Sequence, residues 1–272
     1  MSNITARAAN LIAQVRKKSP LVHQITNYVT VNDCANITLA AGASPVMADD
    51  IAEAAEITAI SSVLVLNIGT LNEKTVDSML VSGKKANELG LPVVFDPVGA
   101  GASTFRDQTT RMILSRIKIA VVRGNLSEIS FAAGLKATTK GVDASGADFG
   151  NDAVFAAKET ARQSGCVAAV TGATDIVSDG QRVIRIQNGH AMLSGITGTG
   201  CMATALIGAF AGVAKDYLAA AVAGVAVMGI AGEIAFEAAG NKGLGSYHAA
   251  LTDAVSLMDE NVFEKRAKIS EI

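Results

Sequence analysis

The sequence predicts an α/β fold of three layers, a mostly parallel sheet with helices on both faces. Two patterns carry that expectation. Short apolar runs without polar alternation recur between segments of helical periodicity at least five times, as strands covered on both faces by crossover helices do. Further along, Asp179-Gly180 and Asn188-Gly189 are hairpin signals, so the late strands are expected to pair antiparallel. A closed eightfold barrel fits poorly, because those hairpins and a helical C-terminal part break the repeat it requires.

The elements follow in order. Ser2 or Asn3 is suited to cap a first helix whose Ala8, Leu11, Ile12 and Val15 share one face, and Ser19-Pro20 stops it. Leu21–Ile25 reads as a strand with a polar exit, Thr26-Asn27-Tyr28. Asn32 can cap a helix that ends before Gly42, and Pro45-Val46-Met47 is a short extended piece. Asp50 with Glu53 resembles a capping box opening the next helix, and Val63–Asn67 is an apolar run closing on a polar residue. Asn72 caps a helix that turns Val76, Met79, Leu80, Gly83 and Ala86 inward and stops at Gly90.

Val93–Asp96 is the next strand, followed by a glycine loop, a helix over residues 106–117 and a strand over 119–122. Residues 125–133 read as helix, 140–150 as a polar segment, 151–163 as helix and Val167–Val170 as strand. From Gly200 onward three helices are expected. The second contains residues 217–232, apolar throughout but shorter than the roughly 18–20 residues of a spanning helix, so it reads as a core helix.

Composition narrows the function. The 272 residues suffice for one large domain, 1–272, and no linker divides them. A net charge of −2 with both signs interspersed argues against a nucleic-acid groove or a membrane-binding surface and for a small-molecule partner. Three cysteines without a C-x-x-C pair and three scattered histidines argue against a disulfide framework or a zinc cluster. Residues 1–18 lack the pattern of a signal peptide, so a cytoplasmic location is expected.

In an open α/β sheet ligands bind beyond the carboxyl ends of the strands, here Asn27, Met47, Asn67, Asp96, Arg123, Thr171 and Gly172. Near them, the glycine-rich stretch 195–201 leads into an Ala-rich helix. Gly198 and Gly200 let the backbone approach a ligand, while the first N–H groups of the helix favour a phosphoryl group or an oxyanion. Cys201 at that helix mouth reads equally as a base or nucleophile and as a small buried hydrophobe. Asp96 runs into Pro97-Val98-Gly99-Ala100-Gly101, which lacks the Lys-Ser/Thr of a P-loop; its carboxylate suits Mg²⁺ or a helix cap. Arg123 can grip phosphate in bidentate fashion, and Asn125 with Glu128 has the spacing of a plain capping box. A cap leaves the adjacent arginine and the carboxylate at the neighbouring strand end unexplained, which favours a metal and phosphate site.

Taken together, the N-x-x-E of residues 125–128, V-V-F-D-P-V-G-A-G of 93–101, G-T-G-C of 198–201, Q-I-T-N-Y-V-T-V-N-D-C-A-N of 24–36 and S-P-V-M-A-D of 44–49 resemble the ribokinase-like superfamily. More closely they are similar to the hydroxyethylthiazole kinase family. The resemblance implies ATP-dependent phosphorylation of the primary hydroxyl of a hydroxyethylthiazole, in thiamine biosynthesis and salvage. It implies thiazole contacts at Met47 and Gly198 with Asn27 beside them, ATP contacts at Arg123 and Thr171, and Mg²⁺ near Asp96 and Glu128. It also implies a catalytic role for Cys201 with Gly198 and Gly200, and a homotrimer with sites at subunit interfaces. Most of the superfamily carries aspartate where this chain has Cys201, a departure that agrees with the thiazole kinase branch. Dehydratases of the same fold would be expected to keep the aspartate.

Overall fold

The computed structural model describes residues 3–135 and 146–272. Nine strands form one sheet in the order β2-β1-β3-β4-β5-β6-β7-β8-β9. The first six in that order, β2 (Ser44–Val46), β1 (Leu21–Ile25), β3 (Val63–Asn67), β4 (Val93–Asp96), β5 (Val121–Gly124) and β6 (Val167–Val170), are parallel. Antiparallel pairing adds β7 (Asp175–Ser178), β8 (Val183–Ile186) and the C-terminal β9 (Ile269–Glu271).

The apolar strands divide between two cores because successive side chains point to opposite faces. On β3, Val63 and Val65 join one core and Leu64 and Leu66 the other. The first core is closed by α1 (Asn3–Lys18), α2 (Val31–Ala40), α8 (Thr199–Ala211), α9 (Tyr217–Ala239), α10 (Leu244–Ser256) and α11 (Glu260–Arg266). The second is closed by α3 (Ala54–Ile60), α4 (Glu73–Glu88), α5 (Thr104–Arg116), α6 (Leu126–Ala132) and α7 (Gly146–Ser164). These are the three expected layers. Helix α9 runs to 23 residues, longer than the apolar run 217–232 suggested and long enough to span a membrane by length and composition, but 89% of its most apolar window is buried within the fold, so it is a core helix.

Several boundaries differ from expectation. Ser2 lies outside the described residues, and α1 begins at Asn3. Helix α2 starts after Thr30, while Asn32 sits inside it and accepts from the Asn36 amide. Asp50 does not cap α3: its Oδ1 accepts from Ala52 N in a preceding turn, and the helix begins at Ala54. The strand expected at 119–122 lies two residues later, with Ile119 buried in the second core ahead of it. Of the segment 140–150, residues 140–145 lie outside the described residues, and α7 already begins at Gly146.

Asp179-Gly180 does turn a hairpin, but Asn188-Gly189 does not. Asn188 is held by distant groups, donating to Arg266 O and accepting from Lys268 N, and the chain leaves the sheet for a 3₁₀ turn, Ala191–Gly195. Beyond Gly200 there are four helices and an edge strand among the described residues, one helix and one strand more than expected.

Candidate active site

Parallel pairing gathers the polar strand ends into one row. The register sets Asn67 opposite Asp96, both buried, and Asn67 Nδ2 donates to Asp96 Oδ2 across 2.9 Å. The same oxygen accepts from Thr204 Oγ1 at 2.7 Å and faces Arg123 Nη1 at 3.4 Å. Thr204 stands one turn inside α8, so the helix and the sheet meet on a single carboxylate. The other oxygen, Asp96 Oδ1, is buried without a hydrogen-bond partner among the described residues. Burial pushes the Asp96 carboxyl up to about 6, against the pull of Arg123.

Arg123 projects from β5 with 13% of its side chain exposed. Its Nη2 donates to Thr171 Oγ1 at the end of β6, and its Nε has no partner among the described residues. The guanidinium therefore bridges the ends of β4 and β6, the strands on either side of its own, and leaves Nε unpaired among the described residues.

The loop entering α8 supplies the opposite wall. Gly198, at φ +86, is the N-cap and has no side-chain cap; Met202 N is bonded back to Gly198 O. The N–H groups of Thr199, Gly200 and Cys201 thus precede the helical ladder, and with the helix dipole they favour an anion. Both glycines sit against a neighbour that a side chain would meet. A Cβ at Gly198 would lie 2.5 Å from Thr30 Cγ2, in a left-handed conformation that already disfavours side chains. At Gly200 it would lie 2.6 Å from Arg123 Nη1, so that glycine gives the guanidinium its place.

Cys201, partly buried, sits among amides. Its Sγ accepts from Asn27 Nδ2 at 3.2 Å and from Asn67 Nδ2 at 3.3 Å. Cys34 and Cys166 are buried, and burial raises both thiols to about 12. They are packing residues, one in each core.

Glu128 does make the capping box with Asn125. Its Oε2 accepts from Asn125 N at 2.8 Å, and its Oε1 accepts from Gly99 N, also at 2.8 Å. It therefore ties the start of α6 to the glycine loop after Asp96, and its charge helps raise the Asp96 carboxyl.

Between Arg123 and α9 opens a cleft of about 580 Å³, bordered by Thr171, Gly172, Asp175, His190, Gly200 and Gly229. Asp175 accepts from Gly172 N at 2.9 Å, and burial raises its carboxyl to about 7. Sequence reasoning had not singled out Thr204, Asp175 or His190. His190 Nδ1 accepts from Met192 N at the start of the 3₁₀ turn, and its ring stacks on Phe236 at 3.7 Å.

Asp96, Arg123 and Thr171 thus come together in one network, with Gly200 packed on Arg123. Asn27 and Cys201 join it through Asn67. Gly198 abuts Thr30, whose hydroxyl donates to Asn27 Oδ1 at 3.0 Å. Met47, just past β2, packs against the first core; like Asn27, Gly198 and Cys201 it does not line the cleft. Among the described residues no group of three His, Cys, Asp or Glu side chains is gathered to hold a metal ion.

Known proteins align with this arrangement. A model of the hydroxyethylthiazole kinase family matches residues 12–261. The chain is 65% identical over 273 residues to a hydroxyethylthiazole kinase of Ruminiclostridium cellulolyticum, and 61% identical over 276 residues to one of Clostridium beijerinckii, each across the full length of both chains. A solved hydroxyethylthiazole kinase structure from Pyrococcus horikoshii OT3 superposes with a TM-score of 0.89 at 42% identity, covering 97% of this chain and 98% of that one. The fold, at 15% identity and a TM-score of 0.60, is also that of a pyridoxal kinase from Staphylococcus aureus solved with ADP, over 79% of this chain and 88% of that one.

Proposed function

Because this chain belongs to the hydroxyethylthiazole kinase family, and so phosphorylates the thiazole alcohol of thiamine salvage, we propose a division of its site into two halves. ATP takes the cleft beside Arg123 and Thr171, and the alcohol takes the side of Met47, Asn27 and Gly198. The phosphoryl group crosses between them, in front of the N–H groups of Gly200 and Cys201. The observation that carries this reading is Arg123: a guanidinium with an unpartnered Nε, at the border of a cleft large enough for a nucleotide and beside a bare helix N-terminus.

The reaction is an in-line displacement. The oxygen of the primary hydroxyl attacks the γ-phosphorus, the bond to the β,γ-bridging oxygen breaks, and ADP departs. Such transfer depends on positioning and on spreading charge more than on a strong base. Arg123 and the α8 N–H groups stabilise the moving phosphoryl. Cys201 orients the hydroxyl and accepts its proton late.

The donor chemistry also fits Mg²⁺. Among the described residues Asp96 Oδ1 is buried and unpartnered and each Glu128 oxygen accepts one N–H, leaving oxygen lone pairs of the hard kind magnesium prefers. When bound, the ion would neutralise phosphate charge. We further read residues 1–272 as a single domain working in the cytoplasm, assembled as a homotrimer with sites at subunit interfaces. The assembly is tested by the mass of the purified protein in solution: three times the 27.7 kDa of one chain is expected, and the mass of a single chain would overturn the trimer.

The direct test is ATP-dependent phosphorylation of hydroxyethylthiazole by the purified protein with Mg²⁺, followed by product mass. A monophosphate formed in step with ADP is expected; ATP binding without product would overturn the assignment of the alcohol half.

A further inference from the structure

We infer that Asn67 is a positioning residue that fixes Asp96 and Cys201 relative to one another and makes the Cys201 sulfur a hydrogen-bond acceptor. The inference rests on the kinase reading above for its catalytic meaning, but its geometric basis is independent. Backbone N–H groups can only donate, so they fix which end of an amide faces them. Gly69 N donates to Asn67 Oδ1 at 2.9 Å, and Thr30 N donates to Asn27 Oδ1 at 3.1 Å. The oxygen ends of both amides are thereby assigned, and both NH₂ groups must face the site.

Every amide proton then has one acceptor. Asn67 Nδ2 donates to Asp96 Oδ2 at 2.9 Å and to Cys201 Sγ at 3.3 Å. Asn27 Nδ2 donates to Asn67 Oδ1 at 3.0 Å and to Cys201 Sγ at 3.2 Å. The sulfur has two donors and neither amide offers it an acceptor, so any S–H must point away from both. One nitrogen, Asn67 Nδ2, holds a carboxylate and a sulfur together, which sets their separation across the join between β4 and α8. The consequence for the reaction is directional: the sulfur is arranged to receive a hydrogen bond or a proton.

Asn67→Asp tests this, because it keeps the side-chain shape and replaces both donors with an oxygen. In the full-length protein we expect kcat for the thiazole alcohol to fall about 100-fold while KM for ATP moves by less than about threefold, since Arg123 and Thr171 still face the nucleotide. The same substitution placed on Cys201→Ala is expected to cost several-fold less than on the parent, because part of its effect acts through the sulfur. Multiplicative effects in that double-mutant cycle would overturn the inference.

A second readout does not need the kinase activity. Alkylation of Cys201 by iodoacetamide at fixed pH, followed by peptide mass, is expected to slow about fivefold in Asn67→Asp, as the donor that Asn67 gives the sulfur is replaced by a negative group. An unchanged rate would overturn the inference. If the parent protein makes no thiazole phosphate, the functional reading falls while the alkylation rates still decide the role of Asn67. Should Asn67→Asp fail to fold, Asn67→Ser, which retains one donor, is read by the same two measurements with smaller changes expected in the same direction.

Discussion

On one side of Gly200, Asn27, Asn67, Cys201, Asp96 and Thr204 form a continuous set of mutual hydrogen bonds in which, among the described residues, Asp96 Oδ1 is the buried oxygen left without a partner. On the other side, Arg123, Thr171 and Asp175 border an open cleft of about 580 Å³, and the arginine keeps an unpartnered Nε. The first half is closed on itself by its own hydrogen bonds; the second is open and leaves an arginine nitrogen unpaired among the described residues. The contrast matches the demands of phosphoryl transfer. The reacting hydroxyl needs a precise place, whereas a nucleotide brings its own charge and can supply the missing partners.

Arg123 touches both halves, so replacing it should have the largest effect. Arg123→Met removes the bridge from Asp96 to Thr171 and the free donor at once; we expect kcat/KM to fall by about 10²–10³-fold. Arg123→Lys is expected to recover little, because an ammonium cannot span both partners. Activity within tenfold of the parent in Arg123→Met would break the comparison, since the halves would then work without their joint.

Gly200→Ala attacks the same joint from the helix side. Its Cβ would sit 2.6 Å from Arg123 Nη1, forcing the guanidinium aside without deleting it. We expect a loss of about 10–100-fold, seen chiefly in KM for ATP, in steady-state kinetics. A change confined to KM for the alcohol would instead assign Arg123 to the other half.

Much of this geometry could be read in the sequence, and the part that could not has a common cause. β1, β3, β4 and β6 were legible as strands, and the polar residues at or just past their ends, Asn27, Asn67, Asp96 and Thr171, meet in the candidate site. The Asn125–Glu128 box was legible because a cap is a local structure, four residues long. Asn32, Asp50 and Asn188 carry similar local signals, yet the helix begins elsewhere or the hairpin does not form. Asn188 is held by Arg266 and Lys268, nearly eighty residues away, which no dipeptide rule can anticipate. Thr204 is the counterpart within the site. In an Ala-rich helix it reads as a tolerated polar residue, and its meaning comes from Asp96, 108 positions earlier.

Within the closed half, Cys201→Ala is expected to lower kcat by about tenfold without abolishing turnover, because positioning and charge neutralisation remain. Cys201→Asp should equal or exceed the parent, as a carboxylate is the better proton acceptor. Complete loss in Cys201→Ala would point to a covalent phosphocysteine and would make the sulfur a reacting group.

The smallest expected effect tests the open half through stability. Asp175 is buried at the cleft wall, and its carboxyl is raised from 3.8 to about 7 by burial, only partly offset by the Gly172 N–H and by Arg123. For an acid raised by folding the sign is definite. Below pH about 4 both folded and unfolded chains hold the proton; as pH rises toward about 7 the unfolded chain releases it first, so stability falls across that window and stays lower above it. Asp175→Asn retains an oxygen for the Gly172 N–H and carries no charge to bury. Its Tm should therefore exceed that of the parent at pH 8, by about 2–8 °C, with the gap closing as the buffer approaches pH 4. The parent keeps the costly carboxylate at the wall of the open cleft; a Tm gap of equal size at both ends of the range would show that the cleft imposes no such cost.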